Sequence, residues 1–205
     1  CAVPTTGTLK CWGYNGFGQL GDKTKTANVS VPVTVNGITD ATSIAGGFYH
    51  TCAVLSKKTV QCWGHNDQGQ LGDGTTQDSA IPVTVSGITA AISVSSGFTH
   101  NCAVLSTGEA QCWGNNNKGQ LGDGTTQSSV TPVTVKEVNI ATLVSLGDSH
   151  SCIVQSDGRV KCWGYNGRGQ LGNGRVTSST IPVTVIGINT ARGLDAGHND
   201  LCALL

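Results

Sequence analysis

The chain has 205 residues, with twelve basic and twelve acidic side chains, 29 glycines, nine cysteines and no methionine. This length allows one domain with a sizeable core, and a net charge of zero excludes a basic surface for nucleic-acid backbones. No apolar run approaches the roughly 20 residues that cross a bilayer, so we expect neither nucleic-acid binding nor a membrane span. The missing methionine indicates a processed chain or a piece of a longer one.

The cysteines reveal an internal repeat. Gaps of ten residues between them alternate with gaps of 40 or 41, which gives a period of 50 residues. They are Cys1, Cys11, Cys52, Cys62, Cys102, Cys112, Cys152, Cys162 and Cys202. We therefore interpret residues 1–205 as a single repeat domain.

In chain order, residues 1–11 are the end of a preceding repeat, and four repeats follow at about 12–62, 63–112, 113–162 and 163–205. The first repeat opens on Trp12-Gly13 and continues with Asn15, Gly-Gln-Leu-Gly at 18–21 and Pro-Val-Thr-Val at 32–35. The other three repeats carry the same elements in the same order. Four copies of one structural unit are predicted.

Short apolar runs within each repeat alternate with period two and are rich in Val, Ile and Thr, as at 82–85 and 102–105. This pattern is typical of β-strands, and no segment shows a sustained helical stripe. Each repeat offers about four strands, which expose too much surface to fold alone. An all-β fold is predicted, in which repeats of this length stack as propeller blades or as a solenoid.

The hairpin at 152–162 defines a pairing of cysteines. Its Ser-Asp-Gly triplet at 156–158 suits a three-residue loop that sets Gln155 opposite Arg159. Counting outward places Cys152 opposite Cys162 at a non-hydrogen-bonded pair, with α-carbons about 4.5 Å apart, within reach of a disulfide. The same count pairs Cys1 with Cys11, Cys52 with Cys62, and Cys102 with Cys112.

Gly7 and Gly108 occupy the last turn position of equivalent hairpins, whereas Lys58 stands there in the second copy and is expected to be strained. The alternative to disulfides is a metal site, but metal ligands are usually spaced two to four residues apart, and here the spacing is ten. Disulfides persist in oxidising compartments, which predicts a secreted, periplasmic or cell-surface protein. Cys202 has no partner by this count and is expected to be unpaired or linked to another chain.

The succession Trp-Gly, Asn, Gly-Gln-Leu-Gly, Pro and His-x-Cys-Ala-Val-Leu closely resembles the repeat of the regulator of chromosome condensation family. The likeness covers essentially all 205 residues. The resemblance implies four propeller blades, in a family whose rings most often have seven, as part of a larger ring or of an open, continuing array. Secreted bacterial relatives, including a β-lactamase inhibitory protein, imply protein binding without catalysis. The founding member of the family has guanine-nucleotide exchange activity. The surface features on which that activity relies are not matched residue by residue in this sequence, so the activity is not transferred to it.

Residues that are identical in all four copies are interpreted as structural, the Trp-Gly and Gly-Gln-Leu-Gly elements among them. The Asn residues at 15, 66, 116 and 166 are expected to bond turn backbone. A series of histidines at 50, 100 and 150, followed by Asp200, allows a metal ring, but we favour hydrogen-bonded structural histidines. The loop carboxylates at 22, 73 and 123 lack the density of a calcium site and are interpreted as turn residues.

No nucleophile lies in an activating motif, so we expect no enzyme activity, cofactor or metal. Positions that vary between copies lie on loops and are candidates for binding a protein partner, because aromatic and Arg side chains are typical interface anchors. Ordinary drift of loop sequence is the alternative. The candidates are Tyr14, Phe17, Phe48, Tyr49, His65, Phe98, Tyr165 and Arg168.

The two ends of the sequence carry the same strand, because residues 1–3 correspond to residues 202–204. Closure of a ring at four blades is therefore disfavoured, and either further repeats or head-to-tail joining of copies is expected. The predicted function is an extracellular, non-enzymatic, disulfide-stapled scaffold for protein interaction or for assembly of a surface or filamentous structure. The alternatives are a secreted inhibitor or adhesin with a discrete partner, and an exchange-factor-like regulator.

Overall fold

The structure is a computed structural model that describes residues 1–205 as 16 β-strands without a helix. The second sheet contains β3 (Ala41–Gly46), β4 (His50–Leu55), β5 (Val60–Gly64) and β6 (Ser79–Thr84). The third sheet contains β7 (Ala91–Ser96), β8 (His100–Leu105), β9 (Ala110–Gly114) and β10 (Ser129–Thr134). The fourth sheet contains β11 (Ala141–Leu146), β12 (His150–Gln155), β13 (Val160–Gly164) and β14 (Ser179–Thr184).

Two smaller sheets precede and follow these three. The first sheet contains β1 (Lys10–Tyr14) and β2 (Asn28–Thr34), and the fifth contains β15 (Gly193–Ala196) and β16 (Leu201–Leu204). Within each sheet, every strand pairs antiparallel with the strands before and after it in sequence. The all-β prediction of four blade-like repeats is thus confirmed. A sequence repeat counted from the Trp-Gly element is offset from the sheets, because it contains the last two strands of one sheet and the first two of the next.

The sheets follow one another side by side without closing into a ring. Their first strands are the inner ones, since β3 contacts β7, β7 contacts β11 and β11 contacts β15. The outer strands β2, β6, β10 and β14 each contain a proline, at 32, 82, 132 and 182. Proline has no N–H to donate, so it discourages further strands from pairing along these outer edges. No helical segment capable of crossing a bilayer is present.

A disulfide joins the second and third strands of each four-stranded sheet, and Cys1–Cys11 is the equivalent pair beside β1. Cys152 faces Cys162 in the register, and the Gln155 N–H donates to the Arg159 carbonyl at 2.9 Å, as the turn predicts. The α-carbons of all four cysteine pairs lie 3.9–4.1 Å apart, and the pairs are those obtained by counting along the hairpins. Lys58 adopts a φ of 62°, the left-handed conformation expected at its turn position.

The core lies between neighbouring sheets and is centred on tryptophan. Trp113 is fully buried against the preceding sheet, where it packs with Leu71, Val85 and Ile88 and donates its indole N–H to the Gln70 carbonyl at 3.1 Å. Trp63 and Trp163 are seated in the same way, at 2.9 and 2.8 Å from the Gln19 and Gln120 carbonyl oxygens. We call this space, lined by the Gly-Gln-Leu-Gly loop of the preceding sheet, the indole seat.

The repeated asparagines hold the long connection between the third and fourth strands, as predicted. The fully buried Asn116 accepts a hydrogen bond from the Leu121 N–H at 2.9 Å and donates to the carbonyls of Thr125 and Gln127 at 3.2 and 3.0 Å. Asn15, Asn66 and Asn166 accept the equivalent bond. Because one side chain satisfies several backbone groups, the connection is held in place at one end of the sheet.

Two of the repeated histidines bond across sheet boundaries. His50 Nε2 lies 2.8 Å from Asn101 Oδ1, and His100 Nε2 lies 2.9 Å from Ser151 Oγ. Asn101 and Ser151 in turn donate to the Gln70 and Gln120 carbonyls. The ring nitrogens of His150 have no hydrogen-bond partner, because the residue that follows Asn101 and Ser151 in the series is Leu201.

Lowering the pH is expected to destabilise the fold through these histidines. Burial lowers the pKa of His50 to about 4 and that of His100 to about 3, below the ordinary 6.5. Both rings stay neutral in the native state and take up protons on unfolding below about pH 6.5. Proton uptake by these two histidines in the unfolded chain is therefore expected to lower the free energy of unfolding by about 4 kcal/mol between about pH 7 and pH 5. Urea denaturation measures this change. An unchanged free energy of unfolding over this range would contradict the prediction.

Candidate functional site

The loops that vary between repeats all lie at one end of the sheets. In an antiparallel sheet, the turn from the first to the second strand and the connection from the third to the fourth emerge at the same end. In the second sheet these are residues 47–49 and 65–78. We call this end of the molecule the upper face.

Six of the predicted binding residues form one continuous cluster on the upper face. The ring of Phe17 lies 4.8 Å from that of Tyr49 and 4.4 Å from that of His65, measured between ring centroids. Phe48 lies 4.2 Å from Tyr49 and stacks on Phe98 at 4.0 Å. We call this cluster, which consists of Tyr14, Phe17, Phe48, Tyr49, His65 and Phe98, the aromatic band.

Three members of the aromatic band are exposed, and the other three are half-buried. The exposed fractions of Tyr14, Phe48 and Phe98 are 47%, 52% and 38%. The band crosses three successive sheets, since its members come from the loops of the first, second and third. Contiguous exposed aromatic surface of this kind is typical of protein-binding sites, where a few aromatic anchors carry most of the binding energy.

The band ends at a cavity of about 320 Å³ between the inner turns. Phe48 and Phe98 line it from the second and third sheets, and Asp148 and His198 occupy the corresponding positions of the fourth and fifth. The Asp148 carboxylate and the His198 ring contact each other through Oδ2 and Nδ1. The cavity therefore offers a partner an aromatic wall and a polar wall that carries one carboxylate.

Tyr165 and Arg168 lie apart from the aromatic band. Both belong to the connection between β13 and β14 in the fourth sheet, and no aromatic contact joins Tyr165 to the band. Arg168 lines a different cavity, beside Gly169 and Gln170. Their role in binding a partner stays a prediction, as it does for the six residues of the band.

Two other groups of residues were interpreted as structural because they repeat, and only Trp12 departs from that interpretation. The Trp-Gly element was expected to be structural in every copy. Trp12 is nevertheless 47% exposed, because no indole seat surrounds it in this structure. The loop carboxylates act as turn residues, as Asp73 does by accepting the Thr75 N–H at 3.0 Å. No three His, Cys, Asp or Glu side chains lie close enough together to hold a metal ion.

The chain matches two models of the regulator of chromosome condensation (RCC1) repeat. One covers residues 6–54, 59–104, 108–154 and 157–204, and the other covers 41–70, 91–120 and 141–170. Among curated proteins, the ultraviolet-B receptor UVR8 of Arabidopsis thaliana is 37% identical over 79 residues, which is 38% of this chain and 18% of that protein.

Solved structures of similar fold include yeast RCC1 (Prp20) bound to Kap60, with a TM-score of 0.81, 20% identity and coverage of 94% of this chain and 48% of that one. A structure of Prp20p from Saccharomyces cerevisiae, described with its binding to Gsp1p and histones, has a TM-score of 0.83 at 20% identity and covers 96% and 51%. The chain thus spans about half the length of these structures, and at this identity the likeness concerns the fold.

Proposed function

Because the chain belongs to the regulator of chromosome condensation (RCC1) repeat family, we propose that it is a non-enzymatic extracellular scaffold that binds a protein partner through the aromatic band. The observation that carries this proposal is the contiguity of the band. Six side chains from loops of three sheets, separated by up to 84 positions between Tyr14 and Phe98, meet in one exposed surface.

An extracellular location is supported by the four hairpin disulfides. Eight of the nine cysteines are paired, and the paired cysteines are consistent with an oxidising environment such as the cell surface or the medium. The chemistry of the upper face supports binding of a protein rather than of a polyanion. The chain has no net charge, and the band is flanked by carboxylates, Asp67 beside His65 and Asp148 beside His198.

Relatives of the same fold bind proteins. Yeast RCC1 (Prp20) is bound to Kap60 in one structure, and Prp20p is described with binding to Gsp1p and histones in another. These partners belong to those proteins and are not carried over to this chain. They support the use of a propeller-like surface for protein recognition, in the manner of a secreted inhibitor or an adhesin with a discrete partner. The exchange-factor alternative has no residue of this chain to support it.

Assembly of copies into a surface or filamentous structure is a second candidate function. It is supported by the repeated architecture, in which each sheet contacts only its neighbours, because stacks of this kind are extended by adding like units.

The substitution Phe48→Ala is expected to weaken binding of the partner by about 30-fold or more, the loss typical of a central aromatic anchor. The partner is isolated from the cell surface or medium of the source organism on immobilised wild-type chain, identified by mass spectrometry, and titrated calorimetrically against wild type and variant. Val176→Ala, at a position that is 67% exposed and outside the band, is the matched control. Equal affinities of wild type and Phe48→Ala would contradict the proposal.

A further inference from the structure

A second cavity on the upper face lies among the three four-stranded sheets. Its volume is about 320 Å³, and every residue that lines it comes from a loop of the second, third or fourth sheet. Phe98, at the end of the aromatic band, lines the cavity, and the other residues that line it are polar. Since a cavity of about 150 Å³ holds a benzene ring, this one accommodates a six-membered ring together with its substituents.

The cavity is open because polar side chains replace the rings that fill the corresponding place one repeat earlier. The rings of Phe17, Tyr49 and His65 pack together between the first and second sheets. The Phe17 centroid lies 4.8 Å from that of Tyr49 and 4.4 Å from that of His65. The corresponding residues one repeat later are Gln68, Thr99 and Asn115. A polar hollow therefore stands between the second and third sheets where aromatic rings fill the preceding boundary.

Hydrogen bonds between side chains hold the polar wall of the cavity in place. Asn115 Nδ2 donates to Gln68 Oε1 of the preceding sheet at 3.1 Å, and Asn115 Oδ1 accepts from the Gln120 side-chain amide at 3.1 Å. The Asn117 N–H donates to the same Asn115 oxygen at 2.9 Å, and Gln120 is buried. Side chains that are already fixed lose little conformational freedom when a ligand binds, which favours affinity.

Several polar groups that line the cavity have no hydrogen-bond partner in the chain. They are the Gln68 amide nitrogen, the hydroxyls of Thr99 and Ser149, and the side-chain amide of Asn117. Hydroxyl and amide groups can bond both the donors and the acceptors of a ligand. Asp67 adds a carboxylate, and no Lys, Arg or His lines the cavity. This set of groups matches a neutral ligand rich in hydroxyl groups and disfavours an anion.

Phe98 adds an apolar surface beside these polar groups. Its ring is 38% exposed and stacks on Phe48 at 4.0 Å, with 19° between the ring planes. The Phe98 N–H donates to the Asp148 carbonyl at 3.3 Å, which ties the turn that carries the ring to the next sheet. Since Phe48 covers one face of the ring, the exposed part is the part that a ligand contacts. A pyranose ring has both matching surfaces, because its C–H groups form an apolar face and its hydroxyl groups surround it.

We propose that this cavity binds a neutral sugar residue of a glycan. Phe98 contacts the C–H face of the sugar ring, and the unpartnered amides and hydroxyls of the cavity bond its hydroxyl groups. The site shares only Phe98 with the aromatic band. It goes beyond the proposed function, because recognition of a sugar at this site requires no protein partner.

NMR titration of the isotopically labelled 205-residue chain tests the proposal, with the methyl glycosides of glucose, galactose, mannose and N-acetylglucosamine as probes. We expect at least one of them to shift the side-chain amide signals of Gln68, Asn115 and Asn117, with a dissociation constant of about 1 mM, typical of a ligand of this size. The methyl glycoside of glucuronic acid is expected to bind more weakly, because its carboxylate is repelled by Asp67. If no neutral glycoside shifts these signals, or if only the glucuronic acid glycoside does, the proposal is wrong.

The substitution Thr99→Tyr fills the cavity with the side chain that the chain itself carries at the equivalent position, Tyr49. We expect it to weaken glycoside binding by about 10-fold or more. Thr76→Tyr is the matched control, because Thr76 is exposed on a loop of the same face and does not line the cavity. Equal affinities of wild type and Thr99→Tyr would overturn the proposal.

A second variant removes only a hydroxyl group and keeps the shape of the side chain. Thr99→Val is expected to weaken glycoside binding by about 5-fold, the loss of one hydrogen bond, and it keeps the proposal testable if Thr99→Tyr does not fold. Urea unfolding of each variant establishes that it is folded. Because these titrations contain no protein partner, their failure overturns the sugar site and leaves the proposal for the aromatic band intact.

Discussion

Reduction of all four hairpin disulfides is expected to leave the chain largely unfolded at room temperature. Each disulfide closes a loop between cysteines ten positions apart, which contributes about 3 kcal/mol by constraining the unfolded chain. Four such contributions amount to roughly 12 kcal/mol, as large as the whole free energy of unfolding of a typical domain. The folded chain is therefore expected to depend on an oxidising environment.

Urea unfolding followed by circular dichroism, with and without reductant, measures this effect, and mass spectrometry establishes the redox state. The double variant Cys102→Ala/Cys112→Ala is expected to lose about 3 kcal/mol by itself. Cys202→Ser is the control, because Cys202 occupies the same place in its repeat but has no partner. If the reduced chain unfolds at the urea concentration of the oxidised one, the disulfides contribute little and the extracellular proposal loses its main support.

The substitution Trp113→Ala is expected to destabilise the chain by about 3–5 kcal/mol, the range for emptying a buried aromatic site. Trp113 fills the seat between the second and third sheets, and its loss opens a cavity that the rigid Gly-Gln-Leu-Gly loop cannot close. The Gln70 carbonyl keeps its hydrogen bond from Asn101, so the loss of packing dominates the loss of the indole donor.

Trp12→Ala is the matched control for Trp113→Ala. Both tryptophans follow a disulfide-bonded cysteine and precede a glycine, but Trp12 is half exposed, and its replacement is expected to cost less than about 1 kcal/mol in the monomer. Because sheets in such arrays contact only their neighbours, Trp113→Ala is also expected to split urea unfolding into two transitions at the weakened boundary. Equal destabilisation by the two substitutions would show that the seat does not hold the sheets together.

Much of the fold is predictable because its determinants are local. The Ser-Asp-Gly turn at 156–158 fixes the register of the hairpin, and the register alone places Cys152 opposite Cys162. Lys58 takes the left-handed conformation because the turn demands it, whatever residue stands there. Because the repeats are nearly identical in sequence, the strand register worked out for one hairpin applies to the others.

The candidate site is predictable only as a set of loop residues. Variation between repeats singled out Phe17, Phe48 and Tyr165 alike, yet the structure brings Phe17 and Phe48 into one cluster and leaves Tyr165 outside it. The difference arises from the placement of successive sheets, which decides which loops of different repeats become neighbours. A single repeat contains no information about that placement.

By itself, the sequence determined the period, the strands, the hairpin register and the family, because each of these follows from residues within about ten positions of one another or from their exact recurrence. The tertiary structure decided which chemically identical residues differ in role. Trp113 is buried and Trp12 exposed, and His100 is hydrogen-bonded while His150 is not. The physical reason is that each of these side chains is completed by a neighbouring sheet, through contacts 31 to 51 positions away in sequence, and those contacts exist only where the neighbouring surface is present.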